Sequence, residues 1–101
     1  MSELGDKRRL FTRCVHSLLG KMIQDDYEPM LGRDGLVHRS HSLHYDGLAI
    51  DIDLTKDDVY LDKTEDHLVF GIYWESLHPD CRWGGRFRDG NHYSITYQGK
   101  K

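Results

Sequence analysis

The sequence predicts an α+β domain on three observations: a helix-period apolar stripe within residues 6–24, a second helical segment from Thr64 to about Leu77, and two alternating segments at 47–53 and 92–97. Apolar side chains recurring every three to four residues make one face of a helix, whereas strict alternation makes one face of a strand. The 101 residues are the length of one domain, expected to span 1–101, with enough chain for one modest core.

The first helix is read from Leu10, Phe11, Cys14, Val15, Leu18, Leu19, Met22 and Ile23, with Asp6 as its cap. Pro29, Gly32 and Gly35 then make 25–41 a short extended piece followed by turns. In Gly47–Asp53, Leu48, Ile50 and Ile52 face one way, and Gly47, Ala49, Asp51 and Asp53 the other. LTKDDVYLDK reads as a polar loop, Thr64 as the cap of the second helix, and Pro79 as its stop. WGGRFRDGN is a glycine-rich loop, and the last strand sets Tyr93, Ile95 and Tyr97 opposite His92, Ser94 and Thr96. Trp74 is expected in the core.

A net charge of −3 argues against a nucleic-acid partner, whose recognition needs a concentrated basic surface. No apolar run approaches the roughly 20 residues of a bilayer span, so no membrane insertion is expected. MSELGDKRRLF lacks the apolar core of a signal peptide, so synthesis in a cytoplasm is expected. Cys14 and Cys81 form no CxxC pair, and a disulfide is not their expected state. Seven histidines are a first pointer to metal chemistry.

Pairing the two strands by their faces sets Leu48, Ile50 and Ile52 with Tyr93, Ile95 and Tyr97 against the helices and gathers Ala49, Asp51, His92 and Ser94 on the other face. A break at Asp46-Gly47 would bring His44 round to the side of Asp51, and the small Gly47 and Ala49 would leave room there. Two histidines and a carboxylate make a three-ligand zinc set with a fourth position open, the mark of a catalytic site. Asp89, three residues before His92, is close enough to act as a general base. Plainer readings stand beside these. Asp89-Gly90-Asn91 is also a turn signal, Asp53 a strand-end carboxylate, and His38, His41 and His44 a histidine run that could bind metal without a carboxylate. Calcium at DIDLTKDD lacks the EF-hand pattern.

SLHYDGLAID resembles the SxHxxGxAxD motif of the zinc D-alanyl-D-alanine carboxypeptidase and L-alanyl-D-glutamate endopeptidase family, which includes phage endolysins, and WGGRFRDGNHYSI resembles that family's second block. The likeness runs from about Tyr27 onward. It implies a Hedgehog/DD-peptidase-like fold, a small antiparallel sheet with helices on one face and a zinc cleft on the other. It implies one zinc ion on His44, Asp51 and His92, with Asp89 as base, aspartate here resembling the phage endolysin branch where many bacterial members have glutamate. Ser42 matches the motif serine and would hold substrate or order the site; Arg33, in competition with Arg39, would steady the oxyanion; Trp83, beside Gly84-Gly85, would line the cleft.

The expected function is therefore a zinc metallopeptidase acting on peptidoglycan stem peptides, a phage or prophage endolysin cleaving the L-alanyl–D-glutamate bond. Such an enzyme would work as a monomer, made in the host cytoplasm and reaching the wall after holin-mediated release. The alternatives are a D-alanyl-D-alanine carboxypeptidase or dipeptidase and a non-catalytic metal-binding module of the same fold. The DGNH turn also bears a faint likeness to histidine nucleases, against which the acidic balance argues.

Overall fold

Ser2 starts the first helix. Its hydroxyl accepts the Gly5 N–H at 3.0 Å, satisfying one of the amide donors that a helix start leaves open. The computed structural model describes residues 2–32, 43 and 46–99. Helix α1 spans Glu3–Gln24, so the cap lies four residues before the expected Asp6, which instead pairs with Arg9 on the helix surface. Phe11, Cys14, Leu18 and Met22 form its buried stripe, with Leu18 and Met22 at 0% exposure; each such side chain contributes about 1.5–3 kcal/mol of burial free energy.

Among the described residues five strands form an antiparallel sheet: β1 (Glu28–Leu31), β2 (Ala49–Lys56), β3 (Val59–Leu61), β4 (Cys81–Trp83) and β5 (His92–Ile95). The order is β1-β2-β5-β4, with β3 also on β2. The N-terminal half of β2 pairs with β5, and its C-terminal half pairs with β1 and β3. The polar loop expected at LTKDDVYLDK is instead a hairpin. Asp57 and Asp58 turn it with φ of +52° and +64°, the pair of left-handed residues that a two-residue type I′ turn requires. Gly47, at φ +74°, is not extended, so β2 begins at Ala49; β5 ends at Ile95 rather than Tyr97.

The second helix is also divided. Residues Thr64–His67 form a 3-10 turn, and α2 spans Leu68–Leu77. Lys63, not Thr64, holds the cap position, with its N–H donated to Asp66 Oδ2 at 3.1 Å. Phe70, Gly71 and Trp74 face inward, while Leu68, Val69 and Ile72 are exposed. The core joins α1 and α2 to the Leu48, Ile52, Leu54, Tyr93 and Ile95 side of the sheet, and Trp74 packs edge-on against both Phe11 and Tyr93. The described residues make an α+β fold, two α-helices on a small antiparallel sheet. Cys14 and Cys81 are free thiols in this core, their sulfurs 3.8 Å apart.

Candidate metal centre

The β2–β5 register is Ala49↔Ser94, Ile50↔Tyr93 and Asp51↔His92. Directly opposed residues of an antiparallel pair send their side chains to the same face. With Tyr93 committed to the core, Asp51 and His92 stand side by side on the other face. Asp51 Oδ1 lies 3.4 Å from His92 Nδ1, and the two side chains are 25% and 12% exposed.

Backbone fixes both residues. The Gly32 N–H donates to Asp51 C=O at 2.7 Å, and a Cβ at Gly32 would come within 3.0 Å of Asp51 Cβ. The Ile52 N–H donates to Asn91 C=O at 2.9 Å and the His92 N–H to Asp89 C=O at 3.1 Å. At Gly84 a Cβ would meet Asp89 O at 2.3 Å and His92 Cβ at 2.7 Å, so only glycine lets the 3-10 turn Gly84–Phe87 approach the site. That turn ends on Arg88 at φ +65°, a conformation that costs a non-glycine residue about 1 kcal/mol or more. The reversal turns Asp89 back toward β5: its Oδ2 is 3.9 Å from His92 Nδ1, and its side chain is 55% exposed.

These donors fit two corners of a zinc tetrahedron. Bonds of about 2.05 Å meeting at the tetrahedral angle end about 3.4 Å apart, and Asp51 Oδ1 and His92 Nδ1 have that separation. A carboxylate oxygen and an imidazole nitrogen are also the ligand types that zinc accepts. Among the described residues no group of three His, Cys, Asp or Glu side chains could hold a metal. The third expected ligand, His44, lies outside the described residues, as do Ser42, Arg33, Arg39, His38 and His41. Of the segment around His44, Leu43 C=O accepts the Leu48 N–H at 2.7 Å.

Trp83, expected to line the cleft, belongs to the core. Its register opposite Tyr93 turns it toward the helices, and it is 3% exposed. Asp53 is not at a strand end: it sits within β2, with Oδ1 3.4 Å from the Tyr60 hydroxyl. Beyond Asp89 a cavity of about 170 Å³ is lined by Asp53, Tyr60, Asp62, His67, Arg88 and Asn91 among others. His67 is buried with Nδ1 2.8 Å from the Tyr93 hydroxyl; burial pulls its pKa below the ordinary 6.5, against the opposing pull of Asp66 and Asp53. Burial pushes the Tyr93 hydroxyl above its ordinary range, so it stays protonated.

The sequence marks Gly32 only as a turn residue, not as the amide that steadies Asp51, and gives His67 no role. A glycine just past an extended piece was the signal for Gly32; His67 had none, since its partner Tyr93 is 26 positions away. No family model matches the chain, and no curated protein or solved structure matches it.

Proposed function

We propose that the chain is a zinc-dependent peptidoglycan peptidase that cleaves the L-alanyl–D-glutamate bond of stem peptides, as phage endolysins do. The observation that carries this is the β2–β5 rung Asp51↔His92, with donor atoms 3.4 Å apart and Asp89 Oδ2 3.9 Å from the same imidazole nitrogen. It is supported by the resemblance of SLHYDGLAID and WGGRFRDGNHYSI to the two blocks of that family.

Asp51, His92 and His44 would hold the ion. Zinc, when bound, supplies the Lewis acid that polarises the scissile carbonyl. Asp89 Oδ2 takes a proton from the attacking water and returns it to the leaving amine nitrogen as the C–N bond breaks. At 55% exposure its carboxylate reaches solvent while its backbone is held against Gly84 and His92. Arg33 would hold the oxyanion that develops on the carbonyl oxygen, and Ser42 would hold the peptide.

The test is a digest of purified peptidoglycan read by mass spectrometry. New amino-terminal D-glutamate is the expected product. Free D-alanine would make the enzyme a carboxypeptidase instead, and an unchanged wall would leave the non-catalytic metal-binding reading.

A further inference from the structure

Building on that reading, we propose that Trp83 is a positioning residue: its indole N–H bolts down the loop that carries Asp89 and so sets the direction of the Asp89 carboxylate. The bolt is the hydrogen bond from Trp83 Nε1 to the Gly90 C=O, 2.7 Å long and buried.

The ring sits in a slot made for it. A Cβ on Gly71 of α2 would come within 2.1 Å of the indole, and one on Gly85 within 2.2 Å. No other residue type at these two positions leaves room for a bicyclic ring in this place. The base of the tryptophan is fixed as well, since its backbone N–H donates to Glu75 Oε2 at 3.0 Å, and Glu75 Oε1 holds Arg86 at 2.8 Å. Gly90 is pressed from its other side by the Thr64–His67 turn: a Cβ there would meet Thr64 Cα at 2.5 Å.

Packing alone does not require an indole, because a phenyl ring fills much of the same slot. The N–H is what the indole adds, and it satisfies a carbonyl one residue after Asp89. The flanking backbone bonds, Asp89 N–H to Gly84 C=O at 2.9 Å and His92 N–H to Asp89 C=O at 3.1 Å, lie within the loop or at its junction with β5. Arg86 ties the start of the loop to Glu75 of α2, and the indole bond ties its far end, next to Asp89, to the ring packed under α2. Asp51 and His92 are held in addition by the β2–β5 strand rung, a support that Asp89 lacks. Loosening the bolt therefore disturbs the base more than the ligand pair. A misplacement of about 1 Å in a catalytic group can lower a rate about 100-fold.

The test uses Trp83→Phe in the full chain, with cleavage kinetics, zinc content and amide hydrogen exchange. Expected are a kcat lower by about 10- to 100-fold, KM and zinc content unchanged, and faster exchange at the Asp89 and His92 amides with α1 unaffected. An unchanged kcat overturns the proposal, and so does a lower kcat accompanied by a raised KM and lost zinc, which means general damage. If wild type cleaves no stem peptide, the peptidase reading fails separately. The exchange data then decide the bolt: faster exchange at Asp89 and His92 upholds it, and no change overturns it. Should Trp83→Phe not fold, exchange in the wild-type protein decides. The Trp83 indole N–H and the Asp89 amide must open with the same free energy, and differing values overturn the proposal.

Discussion

Acidification through the histidine range is expected to destabilise the fold through His67. The side chain is 2% exposed, and burial holds its pKa below 6.5. In the unfolded chain the imidazole protonates near 6.5; in the fold it does so only at lower pH. Between those values the unfolded state binds more protons, so stability falls as pH falls. For one proton the slope is at most about 1.4 kcal/mol per pH unit. Above about pH 6.5 both states are neutral and His67 contributes no slope. The carboxylates act lower. At Glu75 burial raises the pKa but hydrogen bonds from Arg86 and the Trp83 N–H outweigh it, and at Asp80 the hydrogen bond from Lys7 lowers it. Their stabilisation is present above the ordinary values of 4.5 and 3.8 and is lost only as pH falls below these. Urea unfolding of wild type and His67→Gln between about pH 7.5 and 5.5 isolates the effect, because the other histidines are common to both chains. The difference should be flat above about pH 6.5 and shrink below it, with a slope no steeper than about 1.4 kcal/mol per pH unit. Parallel curves would refute the burial reasoning.

Two substitutions follow from the site and its support. Asp89→Ala should lower stem-peptide cleavage by about 10²–10⁴-fold while zinc content stays at the wild-type level; activity equal to wild type would mean Asp89 is no base. Gly71→Ala puts a methyl group 2.1 Å from the Trp83 ring and should lower stability by about 1–3 kcal/mol in thermal or urea unfolding, although alanine is the better helix former.

The fold class was legible because its signals are local and periodic: α1 announces its buried face by Phe11, Cys14, Leu18 and Met22, and the alternation around Ile50 and Tyr93 gives the β2–β5 pairing and its faces. The second helix hid its orientation. LVFGIYW is apolar on every side, so periodicity could not tell that Gly71 faces inward to admit Trp83 while Ile72 faces out. The β2–β3 hairpin was missed because Asp57-Asp58 supplies the left-handed turn without the usual Asn-Gly or Asp-Gly. Trp83 was placed in the cleft by its glycine neighbours, but side-chain direction in a strand follows register, and its partner is the buried Tyr93. For the site, the Asp51–His92 face could be read from alternation. What positions it could not, since the Gly32–Asp51 and Asn91–Ile52 contacts join distant parts of the chain, and the Gly84 contact depends on how the loop folds back onto Asp89 and His92.

Metal analysis of protein purified without chelator tests the ligand set most directly. One zinc ion per chain is expected, with metal content lost in Asp51→Ala, in His92→Ala and in His44→Ala while each variant remains folded by circular dichroism. Wild-type protein that takes up no zinc when the ion is supplied, or folded variants that hold it as well as wild type, would contradict the proposed centre.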